Sequence, residues 1–417
     1  MALLDAMSPA ASVLSCGTLF VGDFEVKGSA TVGRAAALAA LMVRWGINPG
    51  DRVAIAVTDP VPFSTALAAC LGSGIAAVVL DPQADPAPIA AALRRLHPAA
   101  MILDAGLMER LLVVPQIALP AHGVVVGRDS RRPGLRNLFS RQVSSESVPS
   151  WPAFSDIAAK AGEAMAIPAD IDDTLPAVIA VDMTGGGSAP RAHALSRSAL
   201  AVQAETISTL FGMSRGDALL SCVPRQSLPG LLLPYGAGLL GGMTVQLPEP
   251  DAGGIDADAL PDLLRTRETT HLLAPVALLE AAVAHPGQAS FGGSTLRHVV
   301  VLAEDLAPAL RQQAEAAFAC RVSSLFGPAG TTGSALFCGP APALSRPDSL
   351  GKALDGAARI ADGAGEALPI GRPGRLQLKG PAVMQPLADT DGLLEDGWLD
   401  TGLPASIDAE GFVHRAR

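Results

Sequence analysis

The stretch Ala177-Val178-Ile179-Ala180-Val181-Asp182-Met183-Thr184-Gly185-Gly186-Gly187-Ser188-Ala189-Pro190-Arg191 decides how the rest of the chain is read. Its opening apolar run predicts a buried strand, and the glycines that follow predict a loop. A loop without Cβ atoms can bring its backbone N–H groups close to a phosphate. The Gly-Lys-Ser/Thr ending of a Walker loop is missing. Taken alone, the run reads equally well as a flexible turn between strands.

Toward the N-terminus the same alternation recurs. Thr31–Trp45 has helical apolar spacing and ends at Gly46, and Arg52–Val57 reads as a strand. A helix near Ser64–Leu71, a turn at Gly72-Ser73-Gly74, the strand Ala76–Leu80, the helix Ala87–Leu96 and the strand Ala100–Leu103 follow. Toward the C-terminus come helix Ser198–Phe211, strands Ala218–Val223 and Met243–Leu247, helix Ala259–Arg265, and strands His271–Ala274 and His298–Leu302. Strands alternating with helices predict an α/β fold with largely parallel sheets covered on both faces. Residues Pro120–Asp170 lack periodicity and read as a long connection. From Arg346 onward, short alternating strands such as Arg375–Lys379 predict a small β-barrel or β-sheet. The expected division is 1–170, 171–345 and 346–417.

The chain has 417 residues, too many for one ordinary core. Hydrophobic residues make up 49% and charged residues 17%, which describes a globular chain. Its 30 basic against 40 acidic residues leave no cationic field for a nucleic-acid backbone. Five widely spaced cysteines without a CxxC pair predict a reduced, cytoplasmic protein. The N-terminal segment lacks the basic start of a signal peptide. The uncharged run Ser227–Pro248 is interrupted by prolines and glycines, so it reads as a buried helix–turn–strand rather than a membrane span. His193, His271 and His298 flank strands and read as structural histidines, and Glu304-Asp305 reads as a helix cap. No GxSxG elbow occurs.

Several blocks, in order, resemble the adenylate-forming superfamily, which comprises acyl- and aryl-CoA ligases, nonribosomal adenylation domains and luciferases. They are the Gly50-Asp51-Arg52-Val53 strand, the glycine loop, Ser323–Thr332, Gly351-Lys352, Gly365–Pro369, Gly374-Arg375-Leu376, Lys379-Gly380-Pro381, and Gly397–Leu403 leading to Arg417. The resemblance covers about residues 20 to 417. It implies that family's large N-terminal domain, with two doubly wound sheet subdomains and a small distorted barrel.

By the same resemblance, Thr184, Gly185, Gly186, Gly187, Ser188 and Arg191 form a phosphate-loop-like segment. Phe326, Gly327 and Thr331 belong to the adenine and α-phosphate region. Thr401, Leu403 and Arg417 mark the ribose and hinge region, and Arg225, Gln226 and Ser227 are candidates for the acyl pocket. The implied cofactors are ATP and Mg²⁺, bound weakly, with no metal-ligating residue assigned. The implied ligand is a hydrophobic carboxylic acid or acyl group.

The chain departs from the pattern where charge is needed. Gly330 falls where the family carries its Mg²⁺-binding glutamate, and Leu403 where an aspartate accepts the ribose hydroxyls. The family's C-terminal lysine domain, about a hundred residues, is expected to be absent, which describes a truncated pseudoenzyme unable to adenylate alone. The alternative is an active acyl/aryl-CoA ligase-type enzyme completed by a partner chain that supplies that domain, or one that serves a carrier protein. If the centre is merely eroded, Gly330→Glu and Leu403→Asp together are expected to restore binding of ATP with Mg²⁺.

Overall fold

The structure, a computed structural model, describes residues 16–127, 149–160, 171–183, 190–249, 255–284, 291, 294–303, 306–328, 330–339, 346, 348–354, 356–387 and 394–416. Val26–Ser198 forms one compact unit, and Gly17–Glu25 with Ala199–Arg417 forms another.

The described residues open with the short strands β1 (Leu19–Val21) and β2 (Phe24–Val26), which belong to the second unit's sheet. The first unit then runs α1 (Gly28–Arg44), β3 (Arg52–Ala56), α2 (Pro60–Gly72), β4 (Ala76–Val79), α3 (Pro86–Leu96), β5 (Ala100–Asp104), α4 (Ala105–Leu112), β6 (His122–Val126), α5 (Phe154–Ala158), β7 (Pro176–Asp182) and β8 (Arg191–Ser196). In its sheet the strands lie in the order β8-β7-β4-β3-β5-β6, all parallel except β8. All of β4, and β3 after Arg52, are buried, as a sheet covered on both faces requires. Helix α2 starts where the Asp59 carboxylate accepts the Val61 N–H at 2.9 Å with Pro60 at the first helical position. Arg197 is 4% exposed; it pairs with Asp173 at 3.2 Å and donates to the Leu71 carbonyl, tying the end of α2 to the end of β8.

The second unit continues with α6 (Arg197–Phe211), β9 (Ala218–Ser221), α7 (Leu228–Leu231), a π-helix (Leu232–Leu239), β10 (Thr244–Leu247), α8 (Leu260–Thr266), β11 (His271–Pro275), α9 (Val276–Ala284), β12 (His298–Leu302), α10 (Pro308–Phe318) and β13 (Arg321–Phe326). It ends in the short strands β14 (Leu336–Cys338), β15 (Lys352–Ala353), β16 (Ala357–Ala361), β17 (Gly374–Lys379), β18 (Gln385–Pro386), β19 (Leu394–Glu395), β20 (Trp398–Ile407) and β21 (Val413–Arg415). Its main sheet has the order β15-β14-β13-β12-β11-β9-β10-β1-β2, parallel from β13 through β1. Leu272, Val299, Val301 and Val322 on one face meet Leu260, Leu264, Ala314 and Phe318 from the helices, with Phe291 and Phe318 ring centroids 4.1 Å apart. A separate antiparallel sheet, β16-β17-β20-β19 with β21 beside β20, closes over Leu336, Leu350, Ile360, Leu376, Leu378 and Val413.

The uncharged run from Ser227 becomes α7, the π-helix and β10, and every residue of the π-helix is buried. Among the described residues no helix is long and apolar enough to cross a membrane.

Candidate functional site

Strand β13 delivers Phe326 to the edge of the parallel sheet, and the chain then turns sharply. A Cβ at Gly327 would lie 2.5 Å from Thr331 Oγ1 and closer still to the Gly333 backbone, so only glycine fits. The Pro328 carbonyl accepts from both the Thr331 N–H at 3.1 Å and the Thr331 hydroxyl at 2.7 Å. That hydroxyl also accepts the Gly333 N–H at 3.3 Å. Thr331, 3% exposed, is therefore spent on holding its own turn. Gly330 is buried with φ +84°, and its carbonyl accepts from the Met384 N–H at 2.9 Å. Just beyond, the Thr332 and Ser334 hydroxyls lie 2.9 Å apart and reach Gln203 Oε1 on α6 at 3.3 and 3.4 Å.

The turn's tightness makes a prediction. Gly327→Ala is expected to cost about 1–3 kcal/mol, because the backbone of Gly333 has no flexible atom to give way. Urea unfolding of the two proteins would measure it, and an unchanged midpoint would show that the turn is looser than its contacts imply.

The segment carrying Arg225, Gln226 and Ser227 leads into α7. Ser227 Oγ donates to the Pro224 carbonyl at 2.6 Å and accepts the Gly230 N–H at 3.1 Å, so its hydroxyl caps the helix. Arg225 and Gln226 are half-buried beside it. The π-helix that follows is a rare geometry that recurs at functional sites.

Thr401 and Leu403 sit in β20 at a break in its ladder. Arg375 pairs with Pro404 and Gln377 with Asp400, so Leu376 alone faces the three residues Thr401–Leu403. The extra residues bulge, with Gly402 at φ +68°. Thr401 Oγ1 donates to the Leu376 carbonyl at 2.8 Å and accepts the Leu403 N–H at 3.2 Å. Asp400 is engaged by the Gly402 N–H and the Arg375 guanidinium, each at 2.9 Å. The Leu403 side chain packs against the apolar core of the antiparallel sheet.

In the first unit, Arg191 is exposed as the opening residue of β8. Thr184, Gly185, Gly186, Gly187, Ser188 and Arg417, together with Ala329, Glu304 and Asp305, lie outside the described residues.

Titratable groups are shifted elsewhere in both units. Both ring nitrogens of His271 are taken, Nδ1 by Thr270 Oγ1 at 2.9 Å and Nε2 by the Phe211 carbonyl at 3.0 Å, and burial lowers its pKa. His298 Nε2 lies 2.7 Å from Ser323 Oγ, and burial lowers its pKa to about 4. Asp217 is held below the usual carboxylate range: burial would raise it, but Ser214 and Arg297 outweigh that. Burial raises Cys16 to about 11 and Cys70, Cys222 and Cys320 to about 12, so these thiols stay protonated.

The chemistry of a nucleotide with Mg²⁺ demands oxygen donors for a hard cation. Among the described residues no group of three or more His, Cys, Asp or Glu side chains is placed to hold a metal ion. At the two positions where the resemblance puts carboxylates, the chain offers a buried glycine and a half-buried leucine packed against an apolar core. At these two positions the described residues offer no carboxylate to Mg²⁺ or to a ribose.

Residues 31–387 match the family described as AMP-binding enzyme. The chain is 26% identical over 268 residues to an indoleacetate–CoA ligase of Aromatoleum aromaticum, covering 63% of this chain and 51% of that protein. It is 30% identical over 160 residues to the fatty acid–[acyl-carrier-protein] ligase ScoC of Streptomyces coeruleorubidus, covering 36% and 31%. The chain thus spans about half or less of the length of these relatives. Its fold matches a putative long-chain-fatty-acid CoA ligase from Rhodopseudomonas palustris with a TM-score of 0.79 at 20% identity, covering 99% of this chain and 98% of that one. It matches a benzoate CoA ligase from Burkholderia xenovorans with a TM-score of 0.79 at 18% identity, covering 99% and 79%. With the parallel sheets, the antiparallel sheet and the matched residues in hand, the chain belongs to the AMP-binding, adenylate-forming enzyme family.

Proposed function

We propose that this chain is a degenerate adenylate-forming protein that holds a hydrophobic acyl or aryl carboxylate and does not adenylate it on its own. The observation that carries the reading is that the half-buried Leu403 side chain packs against the apolar core of the antiparallel sheet, at the position where the resemblance puts the ribose-binding aspartate. An apolar side chain accepts no hydrogen bond from a diol. Gly330 supports the same reading from the metal side, since it brings no carboxylate. Removing one charge-stabilising group commonly costs about 10²–10³ in rate, and here two are replaced. The carboxylic-acid ligand is carried over from the relatives, whose names describe ligases of indoleacetate and of fatty acids.

Pyrophosphate exchange across a panel of fatty and aromatic acids tests this. The expected result is exchange at background for every acid, with at least one acid raising the thermal midpoint without ATP. Acid-dependent exchange by the chain alone would overturn the proposal. Exchange that appears only on mixing with a chain bearing the family's lysine domain would favour the complemented enzyme instead.

A further inference from the structure

The loops described above follow the ends of the parallel strands. At the opposite edge, where β12 and β13 begin at His298 and Arg321, the second unit carries an open hollow of about 770 Å³. That volume lies within the range of small-molecule sites. Phe211 and Leu296 give it an apolar wall, while Arg297, His298, Glu315 and Arg321 line it with polar groups.

The charges are arranged unusually. Arg297 is already ion-paired with Asp217. Among the described residues, Arg321 has no side-chain partner, and the Glu315 carboxylate accepts only the Val322 N–H at 3.4 Å. One cation and one anion thus share the hollow without pairing to each other. His298 is 5% exposed, with Nε2 on Ser323 and no partner for Nδ1 among the described residues. Helices α6 and α10 both end here, at Phe211 and Phe318, and their carbonyl termini carry partial negative charge. That field disfavours a bare anion and favours an ammonium group.

We propose that this hollow binds a small zwitterion of the α-amino-acid type, with its carboxylate on Arg321 and His298 Nδ1, its ammonium on Glu315, and an apolar side chain on Phe211 and Leu296. The neutral imidazole suits the role. The role requires the Ser323 hydroxyl to donate to Nε2, so that Nδ1 carries the hydrogen and donates to the carboxylate. The site needs neither ATP nor the acyl ligand, so its test stands apart from that of the proposed function.

The test is titration of the full chain with L-leucine, followed by NMR of the histidine side chains, with the His298 signal assigned by its loss in His298→Gln. A saturable change in that signal is expected, together with a rise in its apparent pKa. Leucinamide and N-acetylleucine, each lacking one charge, should bind at least about tenfold more weakly, the loss expected for one charge-assisted hydrogen bond. Arg321→Gln and Glu315→Gln should weaken leucine by a similar factor. No saturable change up to the solubility of leucine would overturn the proposal. So would N-acetylleucine binding as well as leucine, which would mark a plain anion site, or binding unchanged in both variants.

Discussion

Leu403→Asp is expected to destabilise the second unit by about 2–4 kcal/mol and to bring no affinity for ATP with Mg²⁺. Leucine-to-small changes in cores cost about 2–5 kcal/mol. Leu403 is only partly buried, which lowers that figure, but a carboxylate placed against the apolar cluster of the antiparallel sheet adds a desolvation cost. Leu403→Asn removes the same packing without the charge, so the difference between the variants measures the cost of charge alone. The companion change, Gly330→Glu, puts a side chain on a buried residue at φ +84°, a backbone that costs an L-residue about 1–2 kcal/mol. From the sequence, the pair reads as a restoration of the nucleotide site. With the geometry known, the double variant is expected to unfold at markedly lower urea and to show no heat of ATP binding. Micromolar ATP affinity in a variant as stable as the parent would show that position 403 accepts a carboxylate and a nucleotide, and would remove the main support for the degenerate reading.

Stability is expected to fall by up to about 3 kcal/mol between pH 6.5 and pH 4, through His298. Its pKa is lowered by burial from 6.5 to about 4, with His271 and Arg321 adding like charge. Each tenfold loss of proton affinity on folding is worth about 1.4 kcal/mol. In that window the unfolded chain binds a proton that the folded chain refuses, so stability rises with pH. The contribution is complete above pH 6.5 and lost as pH falls through about 4. His271, also lowered by burial, adds to the slope in the same direction. Urea midpoints measured from pH 4 to 7 check this, with His298→Gln expected to flatten the curve. An equal slope in both proteins would assign the acid sensitivity to other groups.

Much of the scaffold was legible in the residues. The strand at Ala177–Val181, the helix at Ser198–Phe211 and the broken apolar run after Ser227 all correspond to elements of the structure, because hydrophobic period and glycine or proline punctuation are local signals. The ordered motif blocks were enough to indicate the family, and the absence of carboxylates at Gly330 and Leu403 is a fact of composition.

Pairing over long separations was not legible. Strand β7 joins β4 in the first unit's sheet across about a hundred residues of chain, and β8, which the periodicity did not reveal, returns antiparallel to it. Neither partner choice is written in local propensity, because it depends on which apolar faces are buried together. The same holds at the candidate site. The sequence puts Thr331 in the α-phosphate region by resemblance, and only the tertiary turn shows its hydroxyl donating to the Pro328 carbonyl. A bulge opposite Leu376, with no mark in the sequence beyond Gly402, sets the half-buried Leu403 against an apolar core. The hollow at His298 and Arg321 brings together strand starts and helix ends more than a hundred residues apart. Residue type determined which charges this protein lacks, and only packing decided where the remaining ones meet.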